Sequence, residues 1–330
     1  MVQDQKPSLE PALFHPVYWP TWMLFGLWWF IAQLPYRLQL LFGEAMGVVL
    51  YHLLRRRRWI ARRNLELCFP QLNQIELERL LRANFKSTAI AFFETGIAWF
   101  CPRKRLSKLV QVEGLEHLQS HLDQGRGVLL LSLHFTTIEM LGVCINSLID
   151  TTDMTYRPHT NPVYDYIQSR QRARHNPSCT VVARGDVRAM VRSLKKGRCI
   201  SYFPDQDYGR KHSVFAPFFG IPAATVTAMP RLIKMTKVPV IPLVNTRLPD
   251  GKGYLIKILP AWKNYPTDNE QVNARRLNEH VEAQIRQQPD QYLWVHRRFK
   301  TRPSGEKDLY GLPKRSRRRK RRTPNSVTEP

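Results

Sequence analysis

The chain has 330 residues, of which 43% are apolar, and its 51 basic and 26 acidic side chains give a formal net charge of +25. This apolar content excludes a wholly disordered chain, and the length allows one large domain or two of ordinary size. The basic excess excludes an acidic or neutral surface and predicts an anionic partner, which could be nucleic acid, a lipid headgroup or an acidic protein.

The first segment that suggests a function is an uncharged stretch from Pro16 to Tyr36, which follows a leader of residues 1–15. Its 21 residues are enough to cross about 30 Å of hydrocarbon as a helix. It lacks the basic n-region and small-residue cleavage site of a signal peptide. Because its tryptophans suit a membrane interface better than a buried core helix, residues 16–36 are predicted to be a transmembrane helix.

A second apolar stretch, Leu38 to Leu54, contains the charged residue Glu44 and is followed by four arginines, Arg55 to Arg58. Such basic clusters lie on the cytoplasmic side of membranes. Residues 37–59 are therefore predicted to lie on the membrane surface. For the arginines the alternative is a solvated helix face, but their position next to the membrane argues against it. Everything downstream is then cytoplasmic. The five scattered cysteines agree, since they form no Cys-x-x-Cys pair or zinc spacing and are expected to be reduced.

Residues 60–305 show strands alternating with helices. Apolar runs predict strands at 127–133, 180–183, 198–203, 238–244 and 253–259. Helical periodicity and caps predict one or two helices over 75–99, and further helices at 137–149, 186–196, 224–237 and 269–287. This alternation is typical of an α/β domain with a central, mostly parallel sheet.

Residues 306–330 contain the basic run Lys314 to Arg322 and little that could be buried, so we predict a disordered tail. Such a tail is either simply solvated or acts as an electrostatic tether to anionic lipid.

His134 and Glu139 are the first candidates for chemistry. His134 follows the apolar strand at 127–133, and ligands bind at the carboxyl ends of strands in open α/β sheets. If Glu139 lies in the first turn of the next helix, its carboxylate could orient the imidazole while His134 removes a proton from an attacking hydroxyl. The alternative is structural, because Thr136-x-x-Glu139 is also the pattern of a capping box.

A second group of candidates is Asp205 and Asp207, again directly after a predicted strand. Two carboxylates with this spacing could hold a divalent cation, as in glycosyltransferases that use nucleotide sugars, although an Asp- and Gly-rich turn has the same composition. Arginine forks suit phosphate or carboxylate groups. The arginines that could bind such anions are Arg157, Arg170, Arg172 and Arg174, with Arg231 inside an otherwise apolar helix. For the first four the alternative is a solvated basic helix face.

Together these residues resemble the late acyltransferases of lipid A biosynthesis, most closely the lauroyl and palmitoleoyl transferases. The resemblance runs from about residue 14 to 305. Its matching stretches are 15–22, 63–70, 94–99, 134–139, 156–158, 161–162, 204–209, 249–254 and 296–303. It implies a glycerol-3-phosphate-acyltransferase-like domain. The tail after Tyr310 lies outside it.

The resemblance also implies a reaction. An inner-membrane enzyme, with one transmembrane helix and its catalytic domain in the cytoplasm, would transfer a fatty acyl chain from acyl carrier protein. The acceptor would be a hydroxyl of a tetra-acylated, Kdo-bearing lipid A precursor. The resemblance favours the 2′ chain as the position of this hydroxyl. In the family motif His-x-x-x-x-(Asp/Glu), His134 would be the base and Glu139 would orient it. The resemblance assigns Arg172, Asp205 and Asp207 to positioning, and implies neither a metal nor another cofactor.

Two other functions stay open at this point. A membrane-bound glycosyltransferase would use a metal at Asp205 and Asp207, and a membrane-tethered nucleic-acid-binding protein would use the basic tail. The sequence leaves open whether the acyl chain is laurate, palmitoleate or myristate, because these chains differ by a few methylenes or one double bond.

Overall fold

A computed structural model of the protein describes residues 9–311. The helices are α1 (Trp19–Ala32), α2 (Tyr36–Leu53), α3 (Arg55–Cys68), α4 (Gln74–Phe100), α5 (Arg103–Leu106), α6 (Leu115–Leu122), α7 (Ile138–Leu148), α8 (Pro162–Arg172), α9 (Val187–Lys195), α10 (Ala228–Thr236) and α11 (Glu270–Gln287). The strands are β1 (Val110–Glu113), β2 (Val128–Leu131), β3 (Thr152–Tyr156), β4 (Val181–Ala183), β5 (Cys199–Tyr202), β6 (Ser213–Phe218), β7 (Ile221–Val226), β8 (Val240–Arg247) and β9 (Tyr254–Ile258).

Seven strands form one sheet in the order β1-β9-β8-β2-β5-β3-β4. Neighbouring strands are parallel except for the antiparallel pair β8 and β9. The remaining strands, β6 and β7, form a separate antiparallel hairpin. The predicted α/β fold with a central, mostly parallel sheet is therefore confirmed.

The central strand β2 is fully buried, and its side chains alternate between two apolar clusters. Leu129 and Leu131 belong to the cluster that contains residues of α4 and α11, whereas Val128 and Leu130 belong to the cluster that contains residues of α6 and α7. Since successive side chains of a strand point to opposite faces, helices cover both faces of the sheet. Because both faces of β2 are buried, its sequence is an uninterrupted run of apolar residues.

Most of the predicted elements are present, and the differences concern short or mixed segments. Residues 75–99 form the single helix α4. The helix predicted at 224–237 was wrong at its start, because Ala224 to Val226 belong to β7 and the helix begins at Ala228. There Thr225 and Val226, both β-branched, pair with β6. Strands β1, β3 and β6 had no equivalent in the sequence prediction.

The helix predicted over 16–36 was also wrong. The structure has a 14-residue helix, α1, which at about 1.5 Å per residue measures about 21 Å. Its end is explained by Pro35, since a proline disfavours the α conformation of the residue before it, and a new helix starts at Tyr36. Within residues 9–311 no helix combines the length and apolar character needed to cross a membrane.

Helices α1 and α2 pack against α4 through large rings and small residues. The Trp28 ring stacks on Phe92 with centroids 4.5 Å apart, and its Nε1 donates to the Phe92 carbonyl. Gly43 and Gly47 let α2 approach α4 closely, because a Cβ at either position would come within 3 Å of α4 atoms. On other faces the two helices leave large apolar side chains exposed: Met23, Leu24, Leu27, Trp29, Phe30, Leu41, Phe42, Val48, Val49 and Leu53.

The folded part of the chain extends past residue 305, where the domain was expected to end. Tyr310 is buried, and its hydroxyl donates to Oδ1 of Asn64 and accepts a hydrogen bond from the amide of Phe299. The basic run at 314–322 lies outside the described residues.

The close contact between α2 and α4 can be tested with two glycines. Gly47→Ala places a Cβ 2.5 Å from Cα of Lys86 and should destabilise the protein by about 1–3 kcal/mol. Gly26→Ala, on α1, meets no atom of the described residues within 4 Å and should stabilise the protein by up to about 1 kcal/mol. Thermal unfolding in detergent measures both. Equal melting temperatures for the two variants would contradict this packing.

Candidate active site

Strand register brings His134 and Asp205 together. His134 is the third residue after the end of β2, and Asp205 is the third residue after the end of β5. The two strands are parallel neighbours in which Leu131 pairs with Tyr202. The two loops therefore leave the same sheet edge side by side, at the carboxyl ends where ligands bind in α/β folds.

Asp205 holds His134 at two points. Nδ1 of the imidazole lies 2.6 Å from Oδ1 of Asp205, and the backbone amide of His134 donates to Oδ2 at 2.9 Å. The hydroxyl of Tyr292 donates to the same Oδ2 at 3.0 Å. The Asp205 side chain is 0% exposed, whereas that of His134 is 20% exposed. One carboxylate thus fixes both the backbone and the ring of the histidine.

The protonation of this pair follows from its surroundings. Burial by itself would raise the pKa of Asp205, but the facing His134 and its hydrogen bonds lower that pKa below its usual value. An ionised carboxylate only accepts hydrogen bonds, so the proton between them belongs to Nδ1 of the imidazole. Nε2 is then the basic nitrogen, and it forms no hydrogen bond with any residue in the range 9–311. This is the tautomer that a general base requires.

Glu139 lies in the first turn of α7, as expected, but it has other partners. Arg172 approaches it with Nε at 3.1 Å from Oε2 and with Nη2 on Oε1, and Nε1 of Trp99 donates to Oε2 at 2.9 Å. Burial would raise the pKa of Glu139, but Arg172 and Trp99 lower it overall. The hydrogen bond expected between His134 and Glu139 is not among those of the described residues.

The capping-box alternative for Glu139 is wrong. Thr137, not Thr136, is the residue at the N-cap of α7, and no side chain caps that helix. The hydroxyl of Thr136 instead contacts Oγ of Ser87 at 2.9 Å.

Asp207 holds the loop of Asp205 against the C-terminal segment. Its carboxylate accepts hydrogen bonds from the amide and the hydroxyl of Thr301 and from the amide of Gly209. The backbone amide of Asp207 donates to Nε2 of His296 at 3.1 Å. Burial, helped by nearby Lys300, lowers the pKa of His296 to about 4, so this histidine is a neutral acceptor at physiological pH.

These contacts bear on the metal-site alternative. Asp205 and Asp207 each use both carboxylate oxygens on donors from the protein, and these donors belong to different residues. Among residues 9–311 no three His, Cys, Asp or Glu side chains cluster as a metal site. The donor set therefore does not fit a divalent cation held between the two aspartates.

Two further predicted arginines, Arg157 and Arg231, lie apart from this cluster. Arg157 is exposed on the loop after β3, at the same sheet edge. Arg231 lies on the surface of α10, where it pairs with exposed Glu270 at 2.9 Å. The anion-site hypothesis for Arg231 is not supported by this position, since its charge is already paired in solvent.

A cavity of about 390 Å³ opens beside the His134 loop. Its apolar lining comes from Leu50, Leu54, Phe85, Leu293 and Val295, with Arg57, Thr88, Gln206 and His296 as the polar side chains. Gln206 directly follows Asp205, and the amide of Leu293 donates to the carbonyl of His134 at 3.0 Å. The volume is within the range of small-molecule sites, which bury mainly apolar groups around a few polar ones.

Sequence reasoning did not identify Trp99, Tyr292 or His296 as parts of the site. Trp99 and His296 are inside stretches that carry the family resemblance, which was the available signal. Tyr292 lies outside those stretches, and only the tertiary fold brings its hydroxyl to Asp205.

Comparison with known proteins agrees with the geometry. The family model described as bacterial lipid A biosynthesis acyltransferase matches residues 6–301. The chain is 40% identical to the lipid A biosynthesis lauroyltransferase of Escherichia coli K12, over 92% of this chain and 99% of that protein. It is 42% identical to the palmitoleoyltransferase of the same organism, over 90% and 96%. Its identity to the myristoyltransferase is 28%, over 93% and 96%.

The pairing of Arg172 with Glu139 predicts a pH-dependent contribution to stability. Arg172→Gln leaves a buried, unpaired carboxylate and should cost about 3–5 kcal/mol at pH 7. Because the pKa of Glu139 is lowered in the folded protein, the stabilisation is complete above the ordinary value of 4.5 and is lost as the pH falls through the folded-state value. The melting-temperature difference between wild type and variant should therefore shrink on acidification.

The matched control is Arg170→Gln on the same helix, where the guanidinium lies over the ring of Tyr166 and pairs with no carboxylate of residues 9–311. It should change the melting temperature little at any pH. A loss of melting temperature in Arg172→Gln that does not shrink as the pH falls from 7 to well below 4.5 would contradict the charge pairing.

Proposed function

The chain belongs to the family of bacterial lipid A biosynthesis acyltransferases, and we propose that it transfers a fatty acyl chain from acyl carrier protein to a Kdo-bearing, tetra-acylated lipid A precursor. The accepting group is the hydroxyl of a 3-hydroxyacyl chain, and the 2′ chain is the favoured position. The greater similarity to the lauroyl and palmitoleoyl enzymes than to the myristoyl enzyme favours laurate or palmitoleate as the acyl group.

The observation that carries this proposal is the His134–Asp205 pair. In the proposed reaction Nε2 of His134 takes the proton of the acceptor hydroxyl as its oxygen attacks the thioester carbonyl. A carbon–oxygen bond forms and the carbon–sulfur bond breaks. The imidazolium then returns its proton to the departing thiolate. Asp205 keeps Nδ1 protonated and stabilises the imidazolium, which is the part first assigned to Glu139.

Glu139 and Arg172 are proposed as a positioning pair. Their bidentate contact joins the first turn of α7, which follows His134 closely, to the last turn of α8. Asp207 is assigned a similar part, because it ties the loop of Asp205 to residues 296–301. Arg157, exposed at the same sheet edge, is available for a phosphate or carboxylate of the acceptor.

The cavity beside His134 is proposed to hold the acyl chain. It is lined mainly by apolar side chains, and two of its lining residues adjoin the catalytic pair. Gln206 follows Asp205 in the chain, and the amide of Leu293 donates to the carbonyl of His134. Burial of each methylene contributes about 0.8 kcal/mol, so such a lining favours an alkyl chain over a sugar or nucleotide.

We place the protein at the cytoplasmic face of the inner membrane, held at the interface by α1 and α2. Their exposed side chains include Leu27, Trp29, Phe30 and Leu41, each more than half exposed. Arg55 to Arg58 follow directly, where they can contact anionic headgroups. The net charge of +25 also favours encounter with an acidic carrier protein by long-range attraction.

The other two functions are not favoured. The family match covers nearly the whole domain, and neither metal-dependent glycosyl transfer nor nucleic-acid binding accounts for a histidine base beside an apolar cavity. The nucleic-acid hypothesis also depends on a tail outside the described residues.

Product mass spectrometry tests the reaction. Membranes containing the protein receive Kdo-lipid IVA and a mixture of acyl carrier protein thioesters, and the product should gain one acyl chain. His134→Ala should abolish this gain, and Asp205→Asn should slow it by roughly 10⁴-fold, because the imidazole loses the carboxylate that fixes its tautomer. His121→Ala, in the last turn of α6 at the opposite sheet edge, should have little effect. A His134→Ala protein with full turnover would overturn the proposal.

The acyl cavity can be tested on one helix. Leu50→Trp places a larger ring in the cavity and should shift the preferred donor to a shorter acyl chain. Leu53→Trp, on the same helix but 69% exposed, should leave the preference unchanged. The donor mixture described above gives the readout. The same chain-length profile for Leu50→Trp as for wild type would exclude this cavity as the acyl site.

A further inference from the structure

A buried ion pair lies behind the His134 loop. Arg247, on β8, donates from Nε to Oε1 of Glu94 at 2.5 Å and from Nη2 to Oε2 at 2.6 Å. Their side chains are 9% and 1% exposed, and the hydroxyl of Tyr254 donates to Glu94 at 2.7 Å. Glu94 belongs to α4, so the pair fixes this helix to the sheet.

Arg247 also reaches the loop that carries the catalytic base. Its Nη1 donates to Oγ of Ser87 at 2.8 Å, and that hydroxyl lies 2.9 Å from Oγ1 of Thr136. Nη2 lies 3.4 Å from the same Thr136 oxygen. Thr136 is two residues after His134, so one guanidinium connects a buried carboxylate to the backbone segment of the base.

The same strand holds the loop at other points. Asn245 donates from Nδ2 to Oγ1 of Thr137 at 2.5 Å. The backbone of Arg247 exchanges hydrogen bonds with the side chain of Gln291. The backbone carbonyl of Gln291 accepts a hydrogen bond from the amide of Thr136 at 2.8 Å. Besides Asp205, polar groups of β8, α4 and the segment at 291–293 thus hold the loop between β2 and α7.

We propose that Arg247 is a positioning residue for acyl transfer: through Ser87 and Thr136 it sets the place of His134 relative to the substrate. This inference rests on the proposed function. The guanidinium is suited to the task because its rigid fork can hold Glu94 on two atoms while a third donates to Ser87. A lysine at this position keeps the positive charge near Glu94 but has no planar fork to reach the hydroxyl as well.

The test is a double-mutant cycle on turnover with Arg247→Lys and Ser87→Ala. Each variant should lower kcat by about 10- to 100-fold, the effect expected for a misplacement of the order of 1 Å. KM for the acyl donor should change by less than about threefold, because a misplaced base acts on the chemical step. The double variant should be no slower than the slower single variant, because both changes break one connection.

A matched network at the opposite sheet edge provides the control. There Arg198 donates to Asp153 from Nε and Nη2, and Oγ of Ser193 donates to the same carboxylate at 2.5 Å. Arg198→Lys and Ser193→Ala should lower the melting temperature comparably but keep kcat near the wild-type value. A merely structural role for Arg247 predicts that the two sets of variants behave alike.

The outcomes separate this inference from the reaction itself. Wild-type turnover that His134→Ala abolishes supports acyl transfer, and full kcat in Arg247→Lys would then overturn the positioning role alone. Strictly additive losses in the cycle, or a rise in KM without a fall in kcat, would overturn it as well. If wild-type protein transfers no acyl chain, the proposed function fails first.

Discussion

The carboxylate of Asp205 is the group on which the arrangement of the site depends. It is fully buried, so its charge is tolerated only because three donors satisfy it: the ring and amide of His134 and the hydroxyl of Tyr292. The two bonds from His134 to this carboxylate also fix the position and the tautomer of the base. The loop of Asp205 is in turn tied through Asp207 to Thr301, so the C-terminal segment belongs to the site as much as the strands do.

The sequence predicts the parts of this site that depend on local signals. The apolar run of β2 and the start of α7 follow from residues close to His134, and they place it at a strand end with Glu139 one turn into the helix. The hydrogen-bond partners of His134 and Glu139 cannot be predicted from these local signals, because they come from far along the chain. Asp205 is 71 residues from His134 and Arg172 is 33 residues from Glu139, and both pairings depend on a strand order that local periodicity does not encode.

In the N-terminal region, the sequence did not show which apolar side chains contact the rest of the protein. Apolar composition over 16–36 was consistent with one spanning helix, but it could not tell which side chains face protein. Phe25 and Trp28 are buried against α4 and α8, whereas Met23 and Phe30 are exposed. The local signal for the break between α1 and α2 is Pro35. A proline disfavours the α conformation of the residue before it, and this steric effect does not depend on hydropathy.

Helix α2 connects the exposed apolar surface with the chemistry. Gly43 and Gly47 bring its backbone against α4, and that close approach places Leu50, one turn later, on the wall of the cavity beside His134. Leu53 on the same helix faces outward. Under the proposed function, one helix therefore presents apolar side chains both to lipid and to the acyl chain. The distance between the membrane and the base is then set by helix packing, so a substitution that moves α2 should alter acyl-chain selection as well as stability.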